Sequence, residues 1–151
     1  MKNKISVKLR KFLLRDFQRI IEIEKSSFPI GAYSAKRIEC LSRKYVNDFT
    51  VATLANNPVG YLLAYPKKTI LVLDSIAVDR IYRKMGIAKK LIEFAIKKSK
   101  RKGLKKARLE VRINNKTAIT FYKNFGFKIK KTIKKYYRDG CSAYQMEKVF
   151  N

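Results

Sequence analysis

The stretch Tyr82–Leu91, YRKMGIAKKL, places a small uncharged step, Gly86-Ile87-Ala88, between a basic pair and the start of an amphipathic pattern. The segment LDSIAV reads as a strand, and it enters this step through the loop DRIYRK. Several unpaired backbone N–H groups and the positive end of a helix dipole then converge on one point, which suits an anion such as phosphate. Gly86 lets a ligand approach the backbone, Ala88 keeps the first turn slim, and Arg83, Lys84, Lys89 and Lys90 add positive charge. Taken alone, RxxGxA is equally an ordinary helix start with a solvated charge run. It is not a Walker loop, because the GxxxxGK[ST] spacing is missing, and no GxGxxG follows a strand.

The chain contains no histidine, which removes Ser/His and Cys/His nucleophile pairs and nearly all common zinc sites. No metal site is predicted, and chemistry falls to carboxylates, tyrosines, lysines, thiols or backbone amides. Glu110 is the only carboxylate between Glu93 and Asp139. In its strand, Leu109 and Val111 point one way and Arg108, Glu110 and Arg112 the other, so an exposed ion pair is its plain structural reading. Tyr122 belongs to the apolar stripe Ala118, Phe121, Tyr122, Phe125, where aromatic residues usually form core, yet a buried hydroxyl needs a partner.

These groups must be positioned by a chain of 151 residues, long enough for one domain, 1–151, with a real core and short for two. Thirty-seven Lys and Arg against eleven Asp and Glu give a net charge of +26, which draws anionic partners: nucleotides, RNA or acidic surfaces. The N-terminus breaks its apolar residues with charges, and no segment approaches the roughly 18 apolar residues of a membrane span. A cytoplasmic protein with no membrane partner is expected, with Cys40 and Cys141 as thiols in a reducing compartment.

Alternation in KISVKLR, through Ile5, Val7 and Leu9, predicts an opening strand, and Phe17, Ile20, Ile21 and Glu24 follow helical spacing. Pro29 and Gly31 make SSFPIGAYS a loop, and Ser34 with Ala35 starts a second helix to about Tyr45. FTVATLA, a turn at Asn56-Asn57-Pro58, VGYLLAY and TILVLDSIAV read as three consecutive strands. A helix from about Gly86 to Lys102 follows, with Ile87, Leu91, Phe94 and Ala95 on one face and Gly103 as its cap. KARLEVRI is a strand, NKTAITFYKNF a helix, and GFKIKKTI and SAYQMEKV are strands. The expected fold is α/β, a mixed central sheet with helices on both faces.

The segments IAVDRIYRKMGIAKKLIEFAIKKSKRKG and LEVRINNKTAITFYKNFGF resemble the acetyl-CoA-binding core of the GCN5-related N-acetyltransferases. Within that superfamily the chain is most similar to the protein N-terminal acetyltransferases, bacterial ribosomal-protein enzymes and archaeal counterparts included. FPIGAYS and YYRDGCSAYQM resemble the family's loop between its first two helices and its C-terminal hairpin, so nearly the whole chain is covered.

The resemblance implies a single-domain fold of that family with a mostly antiparallel sheet, and a reaction with acetyl-CoA. It places the pantetheine arm of coenzyme A along the backbone of Ile76, Ala77 and Val78, and the pyrophosphate on the amides of Lys84, Met85, Gly86, Ile87, Ala88 and Lys89, with Arg83 opening the motif. Asn115 matches a cofactor contact; a helix N-cap is its local reading, and both can hold together. Glu110 matches the general base and Tyr122 the general acid beside the cofactor sulfur, with the Val78 N–H facing the oxyanion. Phe28, Pro29 and Tyr33 form one wall of a peptide slot, and Tyr136, Tyr137 and Tyr144 the other. Ile30 stands where the family often has Trp, and Cys141 and Ser142 replace a frequent acidic pair, so the preferred N-terminal residues stay open. The implied acceptor is a protein or peptide N-terminus, with ribosome proximity in keeping with the charge and no specific nucleic acid predicted. Acetylation of lysine side chains or small amines on the same fold is the alternative, and a basic nucleic-acid- or ribosome-binding module without catalysis is the alternative of another class.

Overall fold

The computed structural model describes residues 6–151, so Ile5 of the opening strand lies outside the described residues. The elements run β1 (Lys8–Lys11), α1 (Phe17–Ser27), α2 (Ala35–Lys44), β2 (Phe49–Leu54), β3 (Asn57–Lys67), β4 (Ile70–Val78), α3 (Ile87–Arg101), β5 (Lys106–Arg112), α4 (Lys116–Asn124), β6 (Lys128–Ile133) and β7 (Ala143–Val149). Short 3-10 turns, Leu14–Asp16 and Arg80–Tyr82, precede α1 and α3. The order is the one the periodicity predicts. One sheet carries all seven strands in the order β1-β2-β3-β4-β5-β7-β6. It is antiparallel at β1/β2, β2/β3, β5/β7 and β6/β7, and parallel at β4/β5. Among the described residues no helix is long and apolar enough to cross a membrane.

Two compact units share the chain: residues up to Ala64 with Ser75–Ala95, and Tyr65–Asp74 with Ile96–Asn151. In the first, α1 buries Ile20, Ile21, Ile23 and Glu24. Its start is fixed by the buried Asp16, whose carboxylate accepts from the Arg10 guanidinium at 2.6 and 2.8 Å and from the Leu13 N–H at 2.8 Å. Ser34 caps α2, its hydroxyl accepting from the Arg37 N–H at 3.1 Å.

The turn between β2 and β3 falls at Ala55-Asn56, one residue before the expected Asn56-Asn57-Pro58. Both turn residues are left-handed, φ +47° and +68°, as a two-residue hairpin requires. Pro58 is inside β3 instead, opposite Thr53, where the register with β2 shifts and Val59 is the extra residue. A bulge tolerates a residue with no N–H.

On α3 the buried residues include Ile87, Leu91, Ile92 and Ala95, whereas Phe94 is exposed. The buried stripe centres on Leu91 and Ala95, which leaves Phe94 at its margin. Gly103, φ +79°, closes the helix, with the Leu104 N–H donating to the Ser99 carbonyl at 3.0 Å.

In the second unit β5 alternates, burying Ala107, Leu109 and Val111 and turning Arg108, Glu110 and Arg112 to the opposite face. Its neighbour β7 places Met146 across from Leu109, Gln145 across from Glu110 and Tyr144 across from Val111. Lys148 Nζ donates to the Phe125 carbonyl at 2.8 Å, a cation at the negative end of α4.

Gly60 sets how closely β3 lies to the end of β4. A Cβ there would stand 3.0 Å from the Ala77 carbonyl oxygen, 3.3 Å from Val78 Cγ2 and 3.4 Å from Ile87 Cγ2. Gly60→Ala therefore forces β3 and β4 apart, and thermal melting should show a loss of about 1–3 kcal/mol. An unchanged melting temperature would mean that this approach is not tight.

Candidate active site

The end of β4 and the start of α3 form the first part of the site. Asp79 closes the strand: one oxygen accepts from the Ile81 N–H at 3.2 Å and the other is paired with Arg19. Two residues then turn left-handed, Lys84 at φ +64° and Gly86 at φ +77°. The Gly86 carbonyl accepts from the Lys90 N–H at 3.1 Å, which starts the helix. The amides of Ile87, Ala88 and Lys89 are then first-turn donors without intrahelical acceptors. Nothing within 4 Å would meet a Cβ on Gly86, so the backbone is open to approach at that residue. Backbone donors around an open point fit the diphosphate of coenzyme A. Met85 is exposed and Ile87 buried.

The Arg83 side chain is tied back in part: its Nε donates to the Val78 carbonyl at 3.0 Å and a terminal nitrogen donates to Ser27 Oγ at 3.2 Å, which leaves three N–H donors of the exposed guanidinium for an anion. Lys84, Lys89 and Lys90 are exposed around it.

The backbone of β4 has a defined polarity. The Asp79 N–H donates to the Val59 carbonyl of β3 at 2.8 Å. Strand alternation then turns the main-chain groups of Ile76 and Val78 to the opposite edge and those of Ala77 toward β3. On that opposite edge the register with β5 covers only Ile70–Val72 with Lys106–Arg108. The outward groups of Ile76 and the outward N–H of Val78, whose carbonyl already accepts from Arg83, are thus suited to pair with an extended ligand.

Between α1 and α2, Phe28 and Tyr33 are half-buried and Pro29 is exposed. This loop is anchored by Glu24, 2% exposed, whose Oε1 accepts from the Tyr33 N–H at 2.9 Å. The other oxygen lies 3.5 Å from Ser75 Oγ, itself 3.1 Å from the Tyr61 hydroxyl. Sequence reasoning placed Glu24 on the helical stripe without a role. A carboxylate on an apolar stripe was the available signal.

In the second unit, Glu110 Oε1 accepts from Gln145 Nε2 at 3.1 Å and lies 3.7 Å from Arg108 Nε. Tyr136 and Tyr137 meet edge to face at 4.9 Å, and the Arg112 guanidinium sits 4.1 Å over the Tyr137 ring. Arg112 is also held by Asp139 at 2.8 Å. Burial, with the Glu110 charge adding to it, raises the Tyr136 phenol. Burial and the neighbouring Tyr136 push Tyr137 up to about 12.

Tyr122 packs against Phe121 and Phe127, and burial around its hydroxyl, with Tyr137 nearby, pushes its phenol up to about 12. The proton therefore stays on the oxygen at ordinary pH. That hydroxyl makes no hydrogen bond among the described residues, so it is not committed to a structural partner. Asn115 caps α4, its Oδ1 accepting from the Ala118 N–H at 3.2 Å.

The unit thus brings together Glu110, Tyr136 and Tyr137, with Tyr122 beside Tyr137. Tyr144 is placed differently: paired with Val111, it stands on the sheet face opposite Glu110. Gln145 occupies the position across from the carboxylate, and sequence reasoning missed it because the pairing depends on register.

The sequence model of the "Acetyltransferase (GNAT) family" matches residues 14–127. An N-alpha-acetyltransferase of Sulfolobus acidocaldarius is 33% identical, covering 96% of this chain and 94% of its own. Ard1 from Thermoplasma volcanium superposes with a TM-score of 0.91 at 28% identity, over 97% of this chain and 99% of that one. The ribosomal-protein-S18-alanine N-acetyltransferase from Escherichia coli shares the fold, with a TM-score of 0.84 at 22% identity over 95% of this chain and 94% of that one. The chain belongs to the acetyltransferase (GNAT) family, and is an N-acetyltransferase that draws its acetyl group from acetyl-CoA.

Proposed function

We propose that the enzyme acetylates the α-amine of protein N-termini by direct attack on the bound thioester. The observation that carries this reading is the pairing, in one unit, of a carboxylate with one oxygen unengaged, Glu110, and a phenol that keeps its proton, Tyr122. Similarity to relatives named N-alpha-acetyltransferase supports the choice of acceptor.

Acetyl-CoA supplies an activated acyl group on sulfur. Amides from Lys84 to Lys89 hold its diphosphate, and the outward groups of Ile76 and Val78 align the pantetheine. Glu110, directly or through a water, takes the proton that frees the amine lone pair. Nitrogen bonds to the carbonyl carbon as the C–S bond breaks, and the Val78 N–H donates to the carbonyl oxygen while charge develops on it. Tyr122 gives its proton to the departing sulfur, the proton that nitrogen sheds on amide formation returns to the phenolate, and the proton taken by Glu110 is released to water. By family likeness, Phe28, Pro29 and Tyr33, and also Tyr136, Tyr137 and Tyr144, would contact the peptide.

Ribosome proximity forms part of this reading. Lys128, Lys130, Lys131, Lys134, Lys135 and Arg138 are exposed, and no carboxylate pairs with any of them among the described residues. Such a surface favours work close to RNA.

Glu110→Gln and Tyr122→Phe should each lower kcat about a hundredfold or more while leaving coenzyme A affinity unchanged. Full rates in both variants across pH would refute the acid–base assignment. Gly86→Ala forces a side chain into a left-handed residue at a cost of about 1–2 kcal/mol; titration calorimetry should show coenzyme A binding weakened about tenfold. Mass spectrometry of a peptide library varied at its first two residues should find acetate on α-amines. If spermidine or internal lysines compete successfully, the acceptor is a different amine.

A further inference from the structure

We infer that Gln145 is a positioning residue for Glu110: its side-chain amide holds Oε1 so that Oε2 is the oxygen presented to the acceptor's proton. This rests on the general-base reading above and goes further by naming the atom and what aims it.

Glu110 and Gln145 are direct cross-strand partners of β5 and β7, so their side chains leave the same sheet face side by side. Gln145 Nε2 donates to Oε1 at 3.1 Å, and Arg108 Nε approaches that same oxygen at 3.7 Å. Oε2 has no partner among the described residues. One oxygen is therefore held while the other stays free.

The cations nearby explain why a neutral amide is needed. Arg112, on the same face of β5, is tied to Asp139 and stacked on Tyr137. Lys106 is tied to Glu147 at 3.1 Å. Lys131, across Gln145 on β6, is exposed. Tyr136 and Tyr137 face the carboxylate as neutral phenols. Arg108 is different: its Nε is buried without any hydrogen-bond partner. The two groups form an ion pair at 3.7 Å without a hydrogen bond, and a carboxylate left to itself would gain by closing the remaining gap to that donor. The Gln145 amide holds Oε1 in place, leaving the Arg108 Nε outside hydrogen-bond distance.

The test is a double-mutant cycle together with a crystal structure of the Gln145→Leu protein. Gln145→Leu removes the donor and should lower kcat about tenfold at unchanged peptide KM and coenzyme A affinity. The same substitution added to Glu110→Gln should cost nothing further, because it acts through the carboxylate. In the Gln145→Leu crystal structure the Glu110 carboxylate should leave its place and close onto Arg108 Nε. An equal loss of kcat in both backgrounds, an unchanged kcat in Gln145→Leu while Glu110→Gln is slow, or a carboxylate that keeps its place without the amide would overturn the inference. If Glu110→Gln keeps full turnover, it is the general-base reading that fails, and the place of the carboxylate in the Gln145→Leu crystal structure alone decides whether Gln145 holds it.

Discussion

Seven consecutive cross-strand pairs between β5 and β7, from Lys106 with Val149 to Arg112 with Ala143, determine what the second unit can do. Strand side chains alternate, so a slip by one residue would send Glu110 into the core and bring Leu109 or Val111 to the reacting face. The register is held by apolar pairs on one side, chiefly Leu109 with Met146, both almost fully buried. The polar row on the other side is thus a consequence of core packing. A carboxylate, an amide and two arginines are held in place by residues that take no part in chemistry.

Along the polar row of β5 the charges are paired, although the chain as a whole carries +26. Arg112 has Asp139, Lys106 has Glu147, and Arg108 stands near Glu110. In the first unit Arg10 meets Asp16 and Arg19 meets Asp79, and both pairs fix the ends of elements. Other acidic residues, Glu22, Glu39 and Glu93, make only exposed pairs along their own helices. The excess of lysine is left on exposed positions, where solvation keeps its cost low.

Periodicity and turn chemistry made the fold legible, because each helix shows a stripe, β5 alternates, and β2, β3 and β4 are apolar runs set off by turn residues or charges. The misplaced turn before β3 followed from treating Pro58 as a breaker when a neighbouring bulge accommodates it. Phe94 was assigned to the buried stripe of α3 by spacing alone, and it stands at the margin of a stripe centred on Leu91 and Ala95. The glycine at the start of α3 was legible for its backbone, and the open space before it agrees. What stayed hidden is relational. Arg83 reads as a ligand for anions, and nothing in the sequence signals that its guanidinium also ties Val78 to Ser27. Neither the tie from Glu24 to the Tyr33 amide nor that from Gln145 to Glu110 has a local signature, since each joins residues on different elements.

The strand order leaves β1 and β6 on the outside of the sheet, and both are basic. β6 carries lysines at 128, 130 and 131, with its register to β7 shifting between Ile129 and Lys131. An outer strand with open hydrogen-bonding groups invites another chain to add to it, and clustered like charge with a local bulge opposes that addition. Two copies meeting edge to edge would set lysine against lysine along the whole contact. The margin of the sheet is therefore protected against self-association by the same residues that give the chain its extreme isoelectric point.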